Sequence, residues 1–211
     1  MKIEPTSITD YNRSEADLQK FWTFCVLVAG KNADWASHKV GQLYSYADAQ
    51  GITPFEYLRQ NEHSLHNLLV SNRVGQYGRI EAALRDSMKL DLRTCSVDDL
   101  EDCFGVGPKT ARFFLLHSRP GIEVAVLDTH ILRWLRQTLG DDGPWPSSTP
   151  SQPAYGRIER VCINLMRSSF PGSTLAQADL LVWCLMSGRL EGEAFPKPKL
   201  PGIPIGAVEV D

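Results

Sequence analysis

The sequence predicts an all-α protein. Three observations carry that expectation. Apolar residues recur at helical spacing in about ten segments spread over ~190 residues. N-cap and C-cap residue types punctuate those segments. Strand-like alternation is confined to one short run, "IEVAVLD" at 122–128.

Taken in order, Ser14 opens "SEADLQKFWTFCVLVAG" as an N-cap with acidic residues in its first turn. The segment is apolar nearly all round from Phe21 to Val28 and stops at Gly30, which suits the centre of a bundle. "ADWASHKVGQLYSYADAQG" reads as one helix ending at Gly51, with Trp35, Val40, Leu43, Tyr44 and Ala47 near one stripe. Thr53 caps "TPFEYLRQ", with Pro54 at the first helical position. "SLHNLLVS" is short and "GQYGRIEAALRDSMK" is amphipathic. "SVDDLEDC" carries a Ser-x-x-Asp cap signature. After a helix beginning in "GVGPKTARFFLLHS" comes the loop "SRPGIEVAV", a helix from Asp128 to Leu139 and a proline-rich connection, "DDGPWPSSTPSQP". "AYGRIERVCINLMRSSF" and "TLAQADLLVWCLMSG" are the last two helices. A helical domain over 1–190, with an N-terminal arm at 1–13, is therefore followed by a tail at 191–211 holding four of the 13 prolines.

The 211 residues include 43% hydrophobic and 22% charged residues, enough for a real core in an ordinary globular chain. A net charge of −3 excludes a polycation, so a nucleic-acid partner would need positive charge gathered on one face. Residues 104–139 offer such a concentration: Lys109, Arg112, Arg119, Arg133 and Arg136 stand against Glu123 and Asp128. The five cysteines form no CxxC pair, which argues against the usual zinc and iron–sulfur spacings and for buried reduced thiols. No signal peptide or membrane span is expected, since the longest apolar run, "FCVLVAG", is far below the ~18 residues a span needs. A soluble, cytoplasmic monomer follows as the expectation, nucleoid-associated if bacterial or phage.

"LEDCFGVGPKTARFFLL" reads as short helix, Gly-x-Gly turn, second helix. Gly105 and Gly107 permit positive φ and leave backbone N–H groups open where the second helix starts. Those groups, with the helix dipole, suit a phosphate oxygen. The pattern resembles the helix-hairpin-helix motif, in which Gly105, Val106, Gly107 and Thr110 would meet a DNA backbone phosphate. The backbone of Phe104 and Val106 would hold a monovalent cation, and no side chain supplies a metal ligand. Taken alone, the hairpin fits a non-catalytic binder and an enzyme equally.

Nineteen residues beyond Lys109, "EVAVLDTHILRWLRQ" places Asp128 at a helix start. Hairpin and aspartate together resemble the helix-hairpin-helix DNA glycosylase superfamily, where a Gly/Pro-rich loop leads to a "V-D-T-H" aspartate. Further segments agree. "VLVAGKNADWASHKV" is similar to the family's "LSAQxTDxxxNK" run, and "SNRVGQYGRIEAAL" to its "IGLYNxKAxNI" segment. "LLVWCLMSGR" resembles the "WLILHGR" helix of the endonuclease III branch. There an iron–sulfur cluster follows; here "LEGEAFPKPKL" has no cysteine, so no cluster and no other cofactor are expected.

The resemblance implies a two-lobed helical bundle, spans about residues 14 to 190, and implies base excision from double-stranded DNA carrying a damaged or modified base. Lys109 would be the amine nucleophile of a bifunctional glycosylase and AP lyase, with Asp128 beside it. Lys31, Asn32, Tyr77 and Arg79 would contact DNA, and Trp35 and His130 would face the extruded base. Two alternatives stay open: a transferase making hypermodified pyrimidines on the same scaffold, and a non-catalytic binding module. By their residue types alone, Asp128 is a helix cap and Lys109 a solvated charge. His63 and His66 lack a third metal ligand, and Trp22, Trp134 and Trp183 sit in apolar runs that predict core.

Overall fold

The computed structural model describes residues 3–140, 143 and 145–189; the expected tail at 191–211 lies outside them. The chain divides into two compact units, Met1–Val126 and Leu127–Asp211. Among the described residues there are eleven α-helices and no strand, and no helix is long and apolar enough to cross a membrane.

The first unit holds α1 (Glu15–Leu27), α2 (Ala33–Leu43), α3 (Ser45–Gln50), α4 (Pro54–Gln60), α5 (Leu65–Ser71), α6 (Tyr77–Ser87), α7 (Val97–Glu101) and α8 (Pro108–Ser118). Ser14 caps α1 by accepting from the Asp17 amide, and every residue from Leu18 to Leu27 is buried. That all-round burial matches the apolar sequence, and α1 packs against α2, α4, α6 and α8. At its centre Phe21, Trp22 and Phe24 meet Phe113 and Phe114, with Trp22 edge-on to Phe114 at 5.1 Å. The N-terminal arm is tied to this core. Ile3 and Ile8 are buried, and the Arg13 guanidinium donates to the carbonyls of Ile8, Asp10 and His117 while lying over the Phe21 ring.

The expected single helix from Ala33 to Gly51 is broken at Tyr44 (φ −104°, ψ 9°), giving α2 and α3. Tyr44 is fully buried and its hydroxyl lies 2.9 Å from that of Thr23, a tertiary anchor that periodicity does not report.

The second unit holds α9 (Thr129–Leu139), α10 (Ala154–Ser169) and α11 (Leu175–Met186), with α11 packed on both others. The β-like run forms no strand. Its Leu127 N–H donates to the Tyr155 hydroxyl (3.0 Å) and its Leu127 carbonyl accepts from Thr149 (2.9 Å), so side chains serve the Leu127 backbone. Trp134 is core as expected, at 4% exposure, but Trp183 is only half-buried.

Candidate active site

The hairpin joins α7 to α8. Ser96 and Asp99 form a reciprocal capping box that starts α7. Gly105 adopts φ +78°, a left-handed turn that glycine alone takes without strain. Val106 is buried and its N–H donates to the Cys103 carbonyl at 3.1 Å, closing the turn, while Phe104 is 67% exposed. Pro108 is the first residue of α8, where its missing N–H costs nothing.

Gly107 departs from expectation. Its backbone is extended (φ −99°, ψ 171°), not left-handed, and a Cβ built on it would meet nothing within 4 Å. Neither conformation nor packing inside the unit requires a glycine there. It caps α8 without a side-chain hydrogen bond, and the amides of Gly105, Gly107 and Lys109 find no acceptor within the unit. The cluster is a nest of free donors at the positive end of an eleven-residue helix, open to an approaching anion.

Three side chains hold the turn in place. Asp86 accepts from the Phe104 amide at 3.2 Å, and this bond and a stronger one from Lys89 keep its carboxyl below the usual carboxylate range. Arg112 pairs with Glu101 across the hairpin. Arg79 donates to the Gly105 carbonyl at 3.2 Å, the Val26 carbonyl at 2.9 Å and the Gln76 side chain at 2.8 Å. Lys31 is held in a similar way: its amine donates to the Val74 carbonyl at 2.9 Å and lies 4.4 Å from the centre of the Trp35 ring. Asn32 caps α2 through the Asp34 and Trp35 amides, and Tyr77 packs edge-on to His66. His66 in turn lies 2.9 Å from Glu81, and no cluster of metal-ligating side chains occurs among the described residues. Thr110 is buried in the first turn of α8, where its N–H donates to the Gly107 carbonyl.

The expected concentration of positive charge at 104–139 is mostly spent internally. Arg112 pairs with Glu101, Arg119 donates to the Cys95 and Leu92 carbonyls, Arg133 to the Met186 carbonyl, and Arg136 to the Trp145 and Pro146 carbonyls. Of these five, Lys109 alone has no hydrogen bond or ion pair within its own unit. It is half-buried, with its amine 5.6 Å from the centre of the Phe113 ring.

In the second unit, one oxygen of Asp128, Oδ1, accepts from both the His130 amide (2.9 Å) and the Ile131 amide (2.8 Å). Oδ2 has no partner within the unit, and the side chain is half-buried. The cap and an available carboxylate oxygen thus coexist in one residue. His130 lies edge-on to Trp183 at 6.1 Å, and Arg189 lies over the same indole at 5.1 Å. Trp183 therefore stands against His130, in the first turn of the helix that Asp128 caps. Sequence reasoning assigned it to the core because α11 is apolar on every side. Its one legible signal was the "WCLMSGR" end, where an indole and an arginine close the helix together.

An all-helical chain with this braced hairpin and an aspartate-capped helix following it has the fold of the helix-hairpin-helix DNA glycosylases. Two solved structures share it. One is the 8-oxoguanine glycosylase/lyase of Methanocaldococcus jannaschii in complex with a 15mer DNA containing 8-oxoguanine, 21% identical over 89% of this chain and 88% of that one, with a TM-score of 0.56. The other is the 8-oxoguanine DNA glycosylase of Thermotoga maritima, 22% identical over the same shares, with a TM-score of 0.58. No family model matches the sequence.

Proposed function

We propose that the protein is a bifunctional DNA glycosylase and AP lyase that removes a damaged or modified base from double-stranded DNA, with Lys109 as nucleophile and Asp128 as the carboxylate that stabilises charge on the sugar. The observation that carries this reading is Lys109. It is the cation at the hairpin left without an internal partner, on the first turn of the helix whose free amides suit a DNA phosphate. The fold likeness to two 8-oxoguanine glycosylases supports the reading and makes 8-oxoguanine the first base to test.

The target nucleotide must leave the stack before C1′ is reachable. As the glycosidic bond lengthens, positive charge grows on the sugar, and the Asp128 carboxylate stabilises it. The neutral Lys109 amine forms a bond to C1′ and the base departs with the bonding pair, taking up a proton. Loss of the amine's proton and opening of the C1′–O4′ bond leave a protonated Schiff base. Removal of a C2′ proton then expels the 3′ phosphate and nicks the strand.

Incubation with duplexes carrying 8-oxoguanine, uracil, oxidised pyrimidines or hydroxymethylated bases, followed by borohydride, tests the reading. A covalent adduct that disappears in Lys109→Ala is expected. Base release without any adduct would remove Lys109 from the chemistry. Binding without release would favour the binding module or the transferase.

A further inference from the structure

Arg79 belongs to α6, yet its side chain serves three other places in the first unit. Its guanidinium bridges the Val26 carbonyl, near the C-terminal end of α1, and the Gly105 carbonyl in the hairpin turn. Its Nε is committed to Gln76, just before α6. The aliphatic stem occupies the space beside Gly105: a Cβ there would overlap the Arg79 Cγ and come within 3.4 Å of its Cδ and of the Arg79 carbonyl. Gly105 thus has two requirements at once, a left-handed φ and room for Arg79. Burial draws the guanidinium below the ordinary arginine pKa.

The surrounding backbone fits the same arrangement. Arg73, Gly75 and Gln76 all adopt positive φ, at 52°, 66° and 44°, and two of them are not glycine. Such residues persist only where neighbours determine them. Here Lys31 holds the Val74 carbonyl, with its amine 2.7 Å from where a Gly75 Cβ would stand, and Arg79 holds the Gln76 side chain. The two loops, 73–76 and 104–107, are joined through one guanidinium.

We propose that Arg79 is a positioning residue that sets the shape of the 104–107 turn from outside the hairpin, so that DNA affinity depends on it without its guanidinium contacting a phosphate. The DNA part rests on the proposed function; the brace itself does not. One N–H on each of the three guanidinium nitrogens is directed to a carbonyl or amide oxygen, and the phosphate is assigned to the free amides of Gly105, Gly107 and Lys109.

Two variants of the full chain test this. Arg79→Met keeps the stem and removes the guanidinium. Gly105→Ala keeps the guanidinium and displaces the stem, and it serves if the first variant fails to fold. Hydrogen exchange without DNA is expected to quicken about tenfold at the Phe104 and Val106 amides while α10 and α11 stay unchanged, the mark of local opening. Exchange that is unchanged at the hairpin, or quickened equally throughout, would overturn the brace. With a duplex carrying a stable abasic-site analogue, Kd is expected to rise about tenfold with the same salt dependence. A salt slope reduced by about 0.9 would instead identify Arg79 as a direct phosphate contact. Should the unaltered protein fail to bind DNA, the functional reading falls and the exchange result still decides the brace.

Discussion

Replacing Gly107 with serine separates what the fold needs from what the ligand needs. Gly107 has an extended backbone and nothing within 4 Å of a Cβ, so serine enters without strain. Its hydroxyl can accept from the free amides that start α8, worth a few tenths of a kcal/mol over glycine at an N-cap. Restricting the unfolded chain adds ~0.4–1 kcal/mol. Gly107→Ser should therefore be about 1 kcal/mol more stable than the parent in urea unfolding. The same hydroxyl occupies the donors proposed for the phosphate and crowds its approach. Losing such charge-assisted bonds costs about 1.5–3 kcal/mol, roughly a 10- to 100-fold rise in Kd by fluorescence anisotropy. Two residues away, Gly105→Ala should behave in the opposite way for stability. The left-handed φ of +78° costs an L-residue about 1–2 kcal/mol, and displacing Arg79 adds to it. A Gly107→Ser protein that is less stable, or that binds DNA as tightly as the parent, would refute the reasoning.

Asp128→Asn preserves an acceptor for the His130 and Ile131 amides but removes the charge on the second oxygen. Stability should change by less than about 0.5 kcal/mol while base excision falls about 100-fold or more, whereas Asp128→Ala should also lose about 1 kcal/mol of cap stability. Single-turnover excision measured beside urea unfolding checks both. At alkaline pH the buried thiols dominate. Burial pushes the Cys103 thiol up to about 11 and raises Cys25 and Cys162 as well. The unfolded chain then loses these protons first, so stability should be fully present below about pH 8.5 and fall as pH rises through the folded values. Unfolding midpoints from pH 7 to 10.5 that stayed level would contradict this. Thiol titration at pH 8 should likewise find the five cysteines unreactive until the chain is unfolded, because all five are buried.

Most of the fold was legible because local chemistry and tertiary structure agree. Ser14, Thr53, Ser96, Asp128 and Thr174 each accept a hydrogen bond at the helix start where a cap residue type stands. Two departures share one physical reason: contacts distant in sequence. The Tyr44 break depends on the buried bond to Thr23 in α1, and in the "IEVAVLD" run the Leu127 backbone is met by Tyr155 and Thr149. Trp183 reads as core by composition, yet α11 leaves it half-exposed beside His130. At the candidate site, residue types identified Lys109 and Asp128, but only geometry divides Asp128 into a capping oxygen and an available one. Geometry also shows that Arg79 and Lys31 each hold a carbonyl of their own unit, a role their residue type does not report.

The most direct measurement is the site of the covalent adduct. An 8-oxoguanine duplex reduced with borohydride in the presence of the protein, then digested and examined by mass spectrometry, should leave the reduced deoxyribose remnant on the peptide containing Lys109, at its Nζ. A remnant on any other amine, or none while the base is nevertheless released, would contradict the assignment of Lys109 as nucleophile.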